Sequence, residues 1–139
     1  MTTISILGTG TMSEALSELF QRAGAEVQVV SHADAAEASF DGEVVVLAVP
    51  YTALADIANH LGDKLGGKIV VDITNPVDFS TGEPLAVPAG SATAELAQAL
   101  PDAHVVKAFN TNFSATLAAG AVGPEPLSGD FDAAYLARA

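Results

Sequence analysis

Six residues near the amino terminus, Gly8-Thr9-Gly10-Thr11-Met12-Ser13, have the types and spacing to hold a pyrophosphate. Gly8 permits a tight turn and Gly10 lets the backbone come close to a phosphate. A helix starting there would turn its first N–H groups and positive dipole end toward the anion. Ser13 occupies the third position, where Gly or Ala is usual, and predicts a helix set slightly farther from the preceding strand. Alone, the same letters make an ordinary glycine-rich turn. A β-rich run before them and an amphipathic run after them point to a dinucleotide.

A second position lies about 20 residues on, where NAD-selective sites place an Asp or Glu on the ribose 2′-OH. The run there ends Val29-Val30-Ser31-His32, with no carboxylate at Ser31 or His32. A hydroxyl and an imidazole can instead donate to a 2′-phosphate, which favours NADP. Asp34 nearby works against that preference, and His32 also reads as a plain solvated loop residue.

Three further runs end in groups suited to a flat heterocycle. Pro50 stops the run Leu47-Ala48-Val49-Pro50-Tyr51-Thr52 abruptly, leaving an edge at Ala48, Val49, Pro50 and Tyr51 for a nicotinamide ring. Val71-Asp72-Ile73-Thr74-Asn75-Pro76 offers donors and acceptors at Thr74 and Asn75, although Asn-Pro is also a common turn. Val106-Lys107-Ala108-Phe109-Asn110-Thr111-Asn112-Phe113 sets polar groups between two aromatic rings. Lys107 could meet a phosphate or pair with Asp72 or Glu95. His60 and His104 read as structural. No Ser/His/Asp set, His cluster or close carboxylate pair stands out, so no catalytic residue and no metal site is assigned. Hydride transfer to a flavin-like ring needs neither acid nor base, because apposition of two rings does most of the work.

Short β-rich runs at Thr3–Leu7, Glu26–Val30, Val44–Val49, Lys68–Ile73 and His104–Ala108 must carry these groups. The third and fourth are almost wholly apolar, as strands buried on both faces are. Met12, Leu16, Leu19, Phe20 and Ala23 fall on one helical face ahead of Gly24, and Leu54, Ile57, Ala58 and Leu61 repeat the pattern. Ala92–Leu100 reads as a third helix capped by Ser91. Only Ser31–Glu43 joins the second run to the third, room for one short helix at Ala33–Ser39. The expected fold is therefore α/β: a Rossmann-like open parallel sheet of five strands in order 2-1-3-4-5, with helices on both faces. Residues 1–122 read as the nucleotide-binding domain and 123–139 as a short tail or remnant.

Composition narrows the partners. The formal charge is −12 and the mean hydropathy +0.38 over 139 residues, enough apolar material for one core. Such an acidic chain repels phosphate backbones and anionic membrane surfaces. No apolar run approaches the ~20 residues of a membrane span. With no cysteine and no signal-peptide pattern, the expectation is a cytoplasmic domain whose partners are small-molecule cofactors and a second copy of itself.

GTGTMSEAL, VVVLAVPYTAL, KIVVDITNPVDF and HVVKAFNTNF resemble the NADPH:coenzyme F420 oxidoreductase family in order and spacing, over residues 1–120 or so. The resemblance implies hydride transfer between NADP(H) and the deazaflavin ring of coenzyme F420. By position, Gly8, Thr9, Gly10, Thr11 and Met12 would hold pyrophosphate and ribose, and Ser31 with His32 the 2′-phosphate. Ala48, Val49, Pro50, Tyr51, Thr74, Asn75 and Pro76 would border the nicotinamide, and Asn75, Pro76, Asn110 and Thr111 the second ring. The family usually has an arginine where His32 stands and an extra helix and strand within Ser31–Glu43. It continues past a Pro-Leu like Pro126-Leu127 into elements that roof the F420 site, so residues to Ala139 are expected to supply the floor of a crevice without its roof. The competing expectation is a non-catalytic NADP-binding or partner-binding module.

Overall fold

The computed structural model describes residues 2–78, 80–109, 121–122 and 125–126. The elements in chain order are β1 (Thr3–Leu7), α1 (Thr11–Arg22), β2 (Glu26–Val30), β3 (Val44–Leu47), a 3₁₀ turn at Tyr51–Ala53 running into α2 (Leu54–Leu65), β4 (Ile69–Asp72), α3 (Ala92–Ala99) and β5 (His104–Lys107). β6 (Ala121–Val122) and β7 (Glu125–Pro126) form a small antiparallel pair.

The first five strands make one sheet in the order β2-β1-β3-β4-β5, with every pairing parallel. This is the Rossmann-like architecture expected from the lean Ser31–Glu43 connection. β3 is buried along its whole length, which is why it reads as uninterrupted Val and Leu. Alternating strand side chains feed two apolar layers. Ile4, Ile6, Val44, Val46 and Val71 meet Ala15, Leu16 and Phe20 of α1. Leu7, Val45, Leu47 and Val70 meet Leu54, Ile57, Leu61 and Leu65 of α2 and Leu96 of α3. Helices thus cover both faces, and none among the described residues is long and apolar enough to cross a membrane.

The local signals explain the element ends. Ser91 caps α3 by accepting from the Ala94 N–H at 3.0 Å. Gly24 ends α1 with φ +93°, a conformation open to glycine. One expected element differs. Residues 32–37 form successive turns, not a helix at Ala33–Ser39. Lys64 donates to the carbonyls of Ala35, Ala36 and Ala38 at 3.3, 2.6 and 2.7 Å, and Lys68 to those of Phe40 and Gly42 at 2.9 and 2.8 Å. Side-chain ammonium groups thus satisfy the carbonyls of this short connection, which closes as turns.

Candidate functional site

The carboxyl ends of the strands build the site, and the glycine turn after β1 is its floor. Gly8 has φ +124°, and a Cβ placed there would lie 2.2 Å from the Ala48 carbonyl oxygen. Only glycine lets β1 and the end of β3 approach this closely. Gly10 is a different case. It stands before α1 with φ −81°, and a Cβ on it would meet no atom within 4 Å. Neither conformation nor internal packing requires glycine there, and the space it leaves is open. Gly10 also offers no side-chain cap to α1, so the exposed first turn at Thr11 keeps donors available to an anion.

Ser13 explains the departure from a third glycine. It is 2% exposed, and its hydroxyl donates to the Gly8 carbonyl at 2.7 Å, tying helix to turn. The serine at the third position thus fastens α1 to the turn through its hydroxyl.

At the end of β2, Ser31 lies just past the Val30 carbonyl that accepts from the Gly8 N–H at 2.9 Å. Its hydroxyl donates to Asp34 Oδ2 at 2.7 Å, and the Asp34 N–H donates back to Ser31 Oγ at 3.2 Å. The serine proton is thus engaged by a carboxylate. His32 is exposed beside it.

At the end of β3, Ala48 and Val49 are half-buried and Pro50 is exposed, while the Ala48 N–H bonds to the Leu7 carbonyl at 2.9 Å. Tyr51 is held from α3: its hydroxyl donates to Glu95 Oε1. That carboxylate acceptor pushes the phenol above its ordinary pKa. A cleft of about 320 Å³ opens between α2 and α3 beside this pair, lined by Leu54, Ala58, Ala92 and Leu96.

The end of β4 is organised by a residue that was not among the expected site groups. Asp72 is fully buried and accepts from the Thr74 N–H at 2.8 Å and the Thr93 hydroxyl at 3.0 Å. Lys107 sits 3.9 Å from the same carboxylate and donates to the Thr74 carbonyl at 2.9 Å. Of the two partners open to Lys107, Asp72 has it, while Glu95 bonds Tyr51. This clamp fixes Thr74, whose Oγ1 is buried with no hydrogen-bond partner among the described residues. A buried hydroxyl in that state costs free energy unless a ligand or water satisfies it. Asn75 and Pro76 follow, both half-buried. At the end of β5, Phe109 holds φ +62° while 5% exposed, its ring edge-on to Phe20 at 5.9 Å. A left-handed bulky residue stores strain of about 1–2 kcal/mol, offset here by burial of its ring. It leads into Asn110 and Thr111, which lie outside the described residues.

The strand order brings Gly8–Met12, Ser31–His32, Ala48–Tyr51 and Thr74–Pro76 to one edge of the sheet, with β1 between β2 and β3 at the switch point. An open cradle at Gly10, uncapped helix donors and an orphan hydroxyl at Thr74 fit a pyrophosphate at one end and a polar heterocycle farther along. In this arrangement the chain could bind a dinucleotide without a basic field.

Residues 25–76 match the family model described as "NADP oxidoreductase coenzyme F420-dependent". The F420-dependent NADP reductase of Methanocaldococcus jannaschii is 31% identical over 104 residues, 72% of this chain and 46% of that protein. By sequence and fold, the chain is similar to the F420-dependent NADP oxidoreductase family. It spans about half the length of that curated relative. The crystal structure of hypothetical protein SMa0349 from Sinorhizobium meliloti superposes with a TM-score of 0.72 at 34% identity, covering 89% of this chain and 69% of that one. A provisionally named F420-dependent NADP-reductase from Arthrobacter sp. FB24 gives a TM-score of 0.67 at 26% identity, covering 84% and 66%. The family match begins one residue before β2 and ends at Pro76, so it takes in the Ser31–Asp34 pair, the β3 edge and the Asp72–Thr74 clamp.

Proposed function

We propose that the chain transfers a hydride between NADP(H) and coenzyme F420 or a related flavin-like acceptor. The observation that carries this reading is the unfilled space at Gly10, beside free helix donors and in line with three strand ends, in a chain similar to this family. Gly8, Thr9, Gly10, Thr11 and Met12 would hold the pyrophosphate and adjoining ribose through backbone N–H groups and the α1 dipole. Ser31 and His32 would face the adenosine ribose. Ala48, Val49, Pro50 and Tyr51 would edge the nicotinamide, and Thr74, with its orphan hydroxyl, would meet the carboxamide. Asn75, Pro76, Asn110 and Thr111 would border the acceptor ring.

When bound, NADP(H) supplies a hydride that leaves or joins a ring carbon as a unit. The protein's part is to orient and to exclude water. Lys107 and Thr93 hold Asp72, Asp72 holds the Thr74 N–H, and Glu95 holds Tyr51, so both walls of the crevice are fixed before a ligand arrives. Such preorganisation serves a reaction whose barrier falls mainly through apposition. Mixing the purified chain with NADPH and F420 and following the deazaflavin's visible absorbance tests the reading. Reduction of F420 supports it, and no turnover at high protein concentration refutes it. NADP binding without any turnover would favour a nucleotide-binding module.

A further inference from the structure

The end of β2 carries a charge arrangement that the reading above does not use. Ser31 Oγ donates to Asp34 Oδ2 at 2.7 Å and accepts from the Asp34 N–H at 3.2 Å, so one bond to the carboxylate and one to the backbone hold Asp34 beside the end of β2. Next to Thr9 lies a cleft of about 340 Å³ between α1 and β2, lined by Ser13, Ser17 and Val29 and by two more carboxylates, Glu14 and Glu18. Val29 is 47% exposed there, a bare apolar surface two residues before Ser31.

The described cations are held elsewhere. Lys64 and Lys68 bind carbonyls between Ala35 and Gly42, Lys107 binds the Asp72–Thr74 clamp, and Arg22 reaches the Glu18 carbonyl at the far end of α1. Among the described residues no lysine or arginine is bonded to the pair, and His32 beside it is exposed. A 2′-phosphate adds about 1.5–2 negative charges, and at the end of β2 it would meet the Asp34 carboxylate. A ribose 2′-hydroxyl, by contrast, is a donor that an ionised carboxylate accepts well.

We propose that Asp34, positioned by Ser31, sets the nucleotide preference of this chain, and that the site takes NAD(H) at least as readily as it takes NADP(H). This inference rests on the dinucleotide reading above and alters its cofactor class. Asp34 stands three positions past Ser31, where the sequence pattern does not look for the ribose acid. The turns at residues 32–37 bring it back to the strand end. The turn that replaces the expected helix is thus what places the discriminating charge.

The test is isothermal calorimetry of NADH and NADPH on the full chain and on Asp34→Asn. The amide keeps an acceptor for Ser31 and removes the charge. Asp34 is exposed, so the variant is expected to fold, and its circular dichroism checks this. The wild type is expected to bind NADH no more weakly than NADPH. Asp34→Asn is expected to shift the ratio of the two dissociation constants at least threefold toward NADPH. Tighter wild-type binding of NADPH than of NADH, or a smaller shift in the variant, overturns the inference and leaves the dinucleotide site standing. Binding of neither nucleotide overturns both.

Discussion

Gly8 and Gly10 stand two residues apart in one motif, yet they should fail in opposite ways when given a methyl group. At Gly8 the new Cβ would lie 2.2 Å from a backbone carbonyl oxygen, in a residue with φ +124°. The left-handed backbone costs about 1–2 kcal/mol, and forcing backbone from backbone costs about 1–3 more. The sum is about 2–5 kcal/mol, a large share of the 5–15 kcal/mol that holds a typical domain together. At roughly 3 °C per kcal/mol for a chain of this size, Gly8→Ala lowers the melting temperature by about 6–15 °C. At Gly10 the Cβ meets nothing, and φ −81° suits alanine. Loss of unfolded-state entropy stabilises by about 0.4–1 kcal/mol, and a poorer N-cap offsets about as much. Gly10→Ala therefore melts within about 2 °C of wild type. What it loses is the ligand. A nucleotide at a hundred times its dissociation constant adds about 2.7 kcal/mol, roughly 8 °C at the same scale. The assay is a thermal scan of three proteins with and without dinucleotide. Wild type should shift, Gly10→Ala should melt normally and shift little, and Gly8→Ala should already be destabilised. An undiminished ligand shift in Gly10→Ala, or a Gly8→Ala protein as stable as wild type, refutes the reasoning.

Three other outcomes follow from particular contacts. Asp72→Asn weakens a buried acceptor of the Thr74 N–H and Thr93 hydroxyl and removes the charge opposite Lys107. With Lys107 partly exposed it should cost about 2–4 kcal/mol in urea unfolding, and a cost under about 0.5 would show the clamp to be incidental. Lys64→Met strips three carbonyls of their donor, so amide exchange across residues 35–38 should quicken roughly fivefold, for about 1 kcal/mol of local stability. Unchanged exchange there would mean that the turns hold without it. The Tyr51 phenol has a pKa raised above 10 by its bond to Glu95. The stability from that bond is therefore complete below pH 10 and lost as pH rises through the raised value. Tyrosinate absorbance of the wild type should show a late-titrating phenol that Tyr51→Phe removes, and a single transition near pH 10 in both would contradict the contact.

Sheet order was legible because it followed from chain length: Ser31–Glu43 is too short for another strand and crossover. β3 and β4 were legible because burial on both faces leaves only apolar letters. The glycine motif was half legible. Its pattern names Gly8 and Gly10 together, and only the distance to Ala48 separates a packing glycine from one that leaves room for a ligand. Contacts between distant residues could not be read. Gly42 is needed because a Cβ would sit 2.5 Å from the Ser5 nitrogen, across 37 residues of chain. Lys64 binds the carbonyls of a turn segment about 28 residues before it, where a helix was expected. Asp72 was legible only as one of the partners open to Lys107, and its bond to Thr93, from a later element, had no signal in the sequence. Each of these belongs to tertiary pairing, which periodicity does not record.

The central claim is that a hydride passes directly between nicotinamide and deazaflavin in this crevice. The most direct measurement uses NADPH deuterated at both C4 positions, with the mass of the reduced F420 read after a single turnover. The deazaflavin accepts the hydride on carbon, where the label does not exchange with water, so the product should be heavier by one deuterium. Reduced F420 without the label, or no reduction with NADPH and chain both in excess, would contradict direct transfer in this site.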